Sequence, residues 1–169
     1  VEGIIRNTVF DHFCGGESIE QSKPTVAQLG KYGVNTILDY SVEGEKTETG
    51  FDLVMEETIR TIETAHHSKN IPFSVFKVTG IASSELLEKI QKKETLSDDE
   101  RKAFERVYER INKICAKAHD YKIPVLVDAE ESWIQDTIDT LAYRMMEKYN
   151  KERPIVFNTY QLYRIESSR

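Results

Sequence analysis

Val125-Leu126-Val127-Asp128 is a short apolar run that ends on an acid. A run this short, with no polar alternation, reads as a strand covered on both faces, the usual condition of a parallel sheet. Three more stretches share the form: Thr36-Ile37-Leu38-Asp39, Phe73-Ser74-Val75-Phe76-Lys77 and Ile155-Val156-Phe157-Asn158. Amphipathic segments separate the four. Such alternation predicts parallel strands joined by crossover helices, with ligands gathered at the carboxyl ends of the strands. Lys77, Asp128 and Asn158 all stand at that end.

Working outward, Glu131 to Tyr149 carries Ile134, Ile138, Leu141, Met145 and Met146 at helical spacing. Upstream, Ser97 and Glu100 form the signature of a capping box, followed by a helix with Phe104, Val107, Ile111, Ile114 and Ala118 on one face. A short helix is expected from Ser84 to about Lys93. Another runs from about Phe51 to Ser68, with Leu53, Met55, Ile59 and Ile62 among its apolar positions. The first strand reads as Val34 to Tyr40. Residues 1–33 read as a helical lead-in. There Ile5, Val9 and Phe13 share a face that Gly15-Gly16 breaks, and a helix from Glu20 to Tyr32 tolerates Pro24 and stops at Gly33. Residues 34–169 then form the sheet-bearing part.

The strands recur every 30 to 50 residues or so, a normal spacing for βα units of a (β/α)8 barrel, which needs about 250 residues for eight units. Only four units fit in 169 residues. A small open doubly wound sheet is the competing architecture, although no GxGxxG or GxxxxGK[ST] follows any strand. The pattern leans only slightly toward the barrel, and with it toward a chain that holds part of a larger protein.

Composition narrows the partners. With 23 basic and 29 acidic residues interspersed, net charge −6, the chain has no basic stripe for nucleic acid. Its 39% hydrophobic and 31% charged content is that of a globular protein, and no stretch approaches the roughly 20 apolar residues that span a bilayer. Cys14 and Cys115 have no CxxC or Cys/His spacing, which fits a reducing compartment; Cys115 reads as a core residue.

Asp128 is the leading candidate for chemistry, because a carboxylate at the end of an apolar strand needs a partner and Lys77 is the obvious counter-ion. A working site and a simple rim salt bridge explain that pair equally well. Glu130 and Glu131 read as acids placed at a helix start, and Trp133 as a packing residue. Asn158 offers a donor and an acceptor on one amide, suited to a heterocycle edge. No histidine spacing suggests a metal, and no GxSxG or Cys–His pairing suggests a nucleophile.

Four segments carry a resemblance: Phe13-Cys14-Gly15-Gly16-Glu17-Ser18, Ile37-Leu38-Asp39-Tyr40-Ser41-Val42-Glu43-Gly44, Val127-Asp128-Ala129-Glu130-Glu131-Ser132 and Val156-Phe157-Asn158-Thr159-Tyr160-Gln161. In order and spacing they resemble proline dehydrogenase. The resemblance implies the first four βα units of a distorted, TIM-like (β/α)8 barrel. It also implies FAD as cofactor, oxidation of L-proline to Δ1-pyrroline-5-carboxylate by hydride transfer to the flavin, and a quinone as electron acceptor. It assigns Lys77 to the substrate carboxylate and Asp128 to the charge network beside substrate and flavin. Ala129, Val156 and Asn158 are assigned to the flavin itself. Many bacterial members carry glutamine where this chain has Asn158.

The family's fifth-strand Arg-x-Val-Lys-Gly-Ala-Tyr-like segment and its final arginine pair do not occur here. The chain alone is therefore expected to be nearly inactive and to hold flavin weakly, with exposed edges that favour a homo-oligomer. The implied location is cytoplasmic, peripheral at the inner face of a membrane, or the matrix side in a mitochondrion. Two alternatives stay open: a non-catalytic half-barrel that self-associates, and an unrelated (β/α) enzyme, such as a lyase, with a metal-free Lys–Asp site.

Overall fold

The computed structural model describes residues 16, 18–40 and 45–163. The Ile5, Val9 and Phe13 face, Cys14 and Gly15 lie outside the described residues, as do Ser41 to Gly44.

Helix α1, Ile19–Lys31, starts where Ser18 accepts a hydrogen bond from the Gln21 amide, and the chain turns off it at Gly33 with φ +73°. Strand β1 is Ile37–Asp39, shorter than the apolar run. Helix α2, Glu48–His66, begins three residues before the expected start, because Thr47 caps it by accepting from the Gly50 amide at 3.0 Å. Strand β2, Phe73–Phe76, leads through a 3-10 turn at Val78–Gly80 into α3, Ser84–Gln91. Helix α4, Asp98–Tyr121, carries the expected capping box. Ser97 N–H donates to Glu100 at 2.8 Å, and Glu100 N–H donates to Ser97 Oγ at 3.2 Å. Strand β3, Val125–Val127, helix α5, Gln135–Tyr149, and strand β4, Val156–Asn158, complete the order.

All four strands are parallel and lie in the order β1-β2-β3-β4. Right-handed crossovers that always step in one direction place their helices on one face of the sheet. The packing of α2 on α4 and of α4 on α5 agrees with that. A doubly wound sheet reverses direction to cover both faces, and the described sheet has no reversal.

Side chains alternate across it. Leu38, Ser74, Val125 and Val156 share one register row, and Phe76, Val127 and Asn158 another. These rows face the helices, where Phe76, Val125, Val127 and Val156 are fully buried against residues such as Ile62, Ile111, Ile114, Ile138 and Leu141. The opposite face carries Phe73, Val75, Leu126 and Phe157, all half-buried. The Phe73 and Phe157 rings come from strands on either side of β3 yet meet edge to face at 5.9 Å.

Two apolar expectations fail. Leu53 is 56% exposed because Val54, Met55, Thr58 and Ile62 define the inner face of α2 and Leu53 falls beside it. Trp133 is 55% exposed, standing before α5 rather than within it. Cys115 is wholly buried, and burial pushes its thiol up to about 12.

Candidate active site

The alternation that puts Val75 and Leu126 on the open face carries Lys77 and Asp128 there as well, because both strands remain extended past their last paired residue. Asp128 N–H donates to Phe76 O at 3.0 Å, and Lys77 keeps φ −95° and ψ 136°. Lys77 Nζ donates to Asp128 Oδ2 at 2.6 Å, with the two side chains 31% and 34% exposed. Asp128 Oδ1 in turn accepts from the Ala129 amide at 3.1 Å. The hydrogen bond to Asp128 raises the Lys77 pKa more than burial lowers it, and the charges of Asp128, Glu130 and Asp39 add to the rise. Lys77 is therefore an ammonium at neutral pH. Of its three N–H groups, one is used among the described residues.

Glu130 departs from its expected place. Helix α5 starts at Gln135, so Glu130 does not cap it. Its carboxylate instead accepts from the Thr79 amide at 3.1 Å and from the Thr79 hydroxyl, tying the loop after β3 to the turn after β2. Burial raises its pKa against the lowering effect of those bonds. Nothing in the local sequence pattern marks Thr79 as its partner, since the two lie 51 positions apart.

The fourth strand end behaves differently. Asn158 belongs to the helix-facing row, and its Nδ2 donates to Asp139 Oδ1 of α5 at 2.8 Å. Its Oδ1 is buried and has no hydrogen-bond partner among the described residues, and the same holds for Gln161 Oε1. Val156 is fully buried on that side of β4. The structure thus joins Lys77 to Asp128 directly on the open face and seats Val156 and Asn158 in the two helix-facing rows of β4.

An open cavity of about 580 Å³ lies before these strand ends, with Lys77, Thr79, Ala129, Glu130, Trp133 and Gln161 in its wall. Trp133 therefore borders the cavity instead of packing in the core. A larger groove, about 1010 Å³, runs between α1 and α2 and contains none of the candidate residues. The arrangement offers a fixed cation, a small residue beside it and unspent acceptors.

A family model described as proline dehydrogenase matches residues 22–169. The chain belongs to the proline dehydrogenase family. It is 32% identical over 162 residues to the carbapenem antibiotics biosynthesis protein CarD of Pectobacterium carotovorum, covering 96% of this chain and 43% of that one. It is 31% identical to the mitochondrial proline dehydrogenase 1 of Dictyostelium discoideum, covering 94% of this chain and 34% of that one. A solved structure of proline utilization A from Bradyrhizobium japonicum superposes with a TM-score of 0.63 at 18% identity, over 90% of this chain and 15% of that chain; it speaks to the fold alone. The chain thus spans less than half the length of these family relatives. Family motifs had pointed to Lys77, Asp128, Ala129, Val156 and Asn158, whereas Thr79, Gln135 and Asp139 emerge only once α5 and the strand ends are assembled.

Proposed function

We propose that this chain supplies the first four strands of a flavin-dependent proline dehydrogenase. That enzyme oxidises L-proline to Δ1-pyrroline-5-carboxylate and passes the electrons to a quinone. The observation that carries the reading is Lys77, an ammonium fixed by Asp128 at the open end of a parallel sheet, with N–H groups to spare beside a cavity. A fixed, under-used cation is what an amino-acid carboxylate needs for orientation, and Asp128 keeps the lysine from swinging into solvent.

The residues fit a flavin ring in part. Asn158 Oδ1 and Gln161 Oε1 are buried acceptors without partners among the described residues, suited to N–H or O–H donors of the cofactor, and Ala129 shares the cavity wall with Gln161. When bound, the flavin supplies the hydride acceptor. Lys77 holds the substrate carboxylate and adds positive field where charge gathers. Asp128 orients Lys77, and Val156 backs β4 from the helix side. Residues 1–169 alone should turn over little proline, because the Arg-x-Val-Lys-Gly-Ala-Tyr-like segment and the arginine pair that the family resemblance assigns to flavin and substrate are not among them. A quinone acceptor calls for peripheral membrane contact, on the matrix side if the source is a mitochondrion, as the names of relatives suggest.

A self-associating, non-catalytic half-barrel would also cover Phe73, Val75, Leu126 and Phe157, but it leaves the unspent polar groups at the rim without a purpose. The two readings part in the full-length protein. Purified protein should carry flavin absorbance and reduce a dye when proline is added. Lys77→Met and Asp128→Ala should each lower turnover by about 100-fold or more while the fold is largely kept. Equal losses of activity and stability would sink the assignment.

A further inference from the structure

A continuous hydrogen-bonded chain runs behind the strand ends. The Thr79 amide donates to Glu130, the Glu130 amide to Gln135 Oε1 at 2.7 Å, and Gln135 Nε2 to Asp139 Oδ1 at 2.8 Å. Asn158 Nδ2 donates to the same Asp139 oxygen, also at 2.8 Å. Gln135 and Asp139 sit one turn apart on α5, so one helix links the ends of β2, β3 and β4.

Polarity locks this chain in one sense. A backbone amide can only donate, so the Glu130 N–H forces Gln135 to present its oxygen there and its NH₂ to Asp139. A carboxylate can only accept, so Asp139 forces the NH₂ of Asn158 toward α5. The Asn158 oxygen is left buried and without a hydrogen-bond partner among the described residues. The Tyr143 hydroxyl on the same helix also engages the Asn158 side chain, but a hydroxyl can donate or accept, so only the carboxylate fixes the sense of the amide.

We propose that Asp139 is a positioning residue for the cofactor: it never touches the flavin but fixes which end of the Asn158 amide meets it. The inference rests on the flavoenzyme reading above. It predicts that the flavin offers a donor, not an acceptor, at Asn158.

The test uses the full-length protein and its bound FAD. Asp139→Leu keeps roughly the volume but removes the acceptor. It should weaken FAD binding by about tenfold and shift the visible absorption and reduction potential of the bound flavin. Asp139→Asn, which can keep an acceptor oxygen in the same place, should stay within about threefold of the parent. In an Asn158→Ala background, Asp139→Leu should add no further loss, because its effect passes through the missing amide. If the leucine variant fails to fold, Asp139→Ser, too short to reach Asn158, takes the same readouts. Unchanged FAD affinity and spectrum overturn the positioning role, as does a full additional loss on top of Asn158→Ala. A parent protein that holds no FAD overturns the flavoenzyme reading itself, and the inference falls with it.

Discussion

Charge is used in opposite ways at Arg110 and at Lys77. Arg110 in α4 has a side chain only 4% exposed, and every nitrogen of its guanidinium is engaged. Nε reaches Asp52 at 2.7 Å, Nη1 the carbonyl of Ile81 at 3.3 Å, and Nη2 both the carbonyl and the carboxylate of Glu48. The cation also lies 5.5 Å from the centre of the Phe51 ring. Arg106 adds a two-point contact to Glu48 at 2.8 and 2.9 Å. Lys77 is about a third exposed, spends one N–H on Asp128, and shares its cavity wall with Gln161, whose Oε1 is buried without a partner among the described residues. A cluster with four of the five Arg110 N–H groups bonded fastens α4 to α2. A lysine with two N–H groups unspent among the described residues still has donors to offer a ligand.

The largest expected effect tests the Arg110 side. Removing both acids, Glu48→Ala with Asp52→Ala, strands a buried guanidinium and should cost about 3–5 kcal/mol of stability. Arg110→Leu should cost less. It removes the buried charge outright, while Glu48 and Asp52, 45% and 56% exposed, can turn to water. Denaturation midpoints of the two variants check the order, and a reversed order would break the account of the cluster. On the other side, Lys77→Met should change stability by no more than about 1 kcal/mol, since its ion pair is partly solvated.

The carboxyl groups sharpen the same contrast. The hydrogen bond from Arg106 leads in holding Glu48 down at about 2, against an ordinary value of 4.5, whereas burial leads in raising Glu130. A depressed acid stabilises the fold above its ordinary pKa and loses that contribution as pH falls through its folded value. Stability should therefore decline between about pH 4.5 and 2, and Glu48→Gln should flatten that decline. Glu130 has the opposite sign: protonating it relieves a burial cost. A melting-temperature series from pH 5 to pH 2 in both proteins checks the slope.

The sheet was legible because each strand is a short apolar run ended by a polar residue, and the helix around Ile111 because Ser97 and Glu100 announce its start. The single-direction strand order was not, since periodicity gives the succession of elements but not which strands become neighbours. Lys77 and Asp128 could be paired from sequence because each ends a strand and each needs a counter-charge. Glu130 was misplaced because an acid before a helix looks like a cap, and its real partner, Thr79, is a neighbour only once β2 and β3 lie side by side. Trp133 was misread for a related reason. The apolar pattern of α5 extends back toward it, but the helix begins only at Gln135 and leaves the indole at the cavity. Asp139 is polar on a helix whose inner face is mostly apolar, with Gln135 and Thr137 as its buried polar members, and nothing local distinguishes it from a solvated acid.

The smallest expected effect sets the comparison against its own logic. If the rim were saturated by design, cutting back Gln161 would cost stability. But Gln161 Oε1 is buried without a partner among the described residues, so the folded chain already bears the cost of desolvating it, about 1–3 kcal/mol for such a group. Gln161→Leu removes the orphaned oxygen and keeps similar bulk. It should leave the stability of the flavin-free full-length protein unchanged or raise it by up to about 1 kcal/mol. The same substitution should weaken flavin binding, because the acceptor held ready is gone. Stability gained without ligand and affinity lost with it is the behaviour of a group kept for binding. A loss of stability in the flavin-free protein would instead place Gln161 with Arg110, among the groups that hold the fold together.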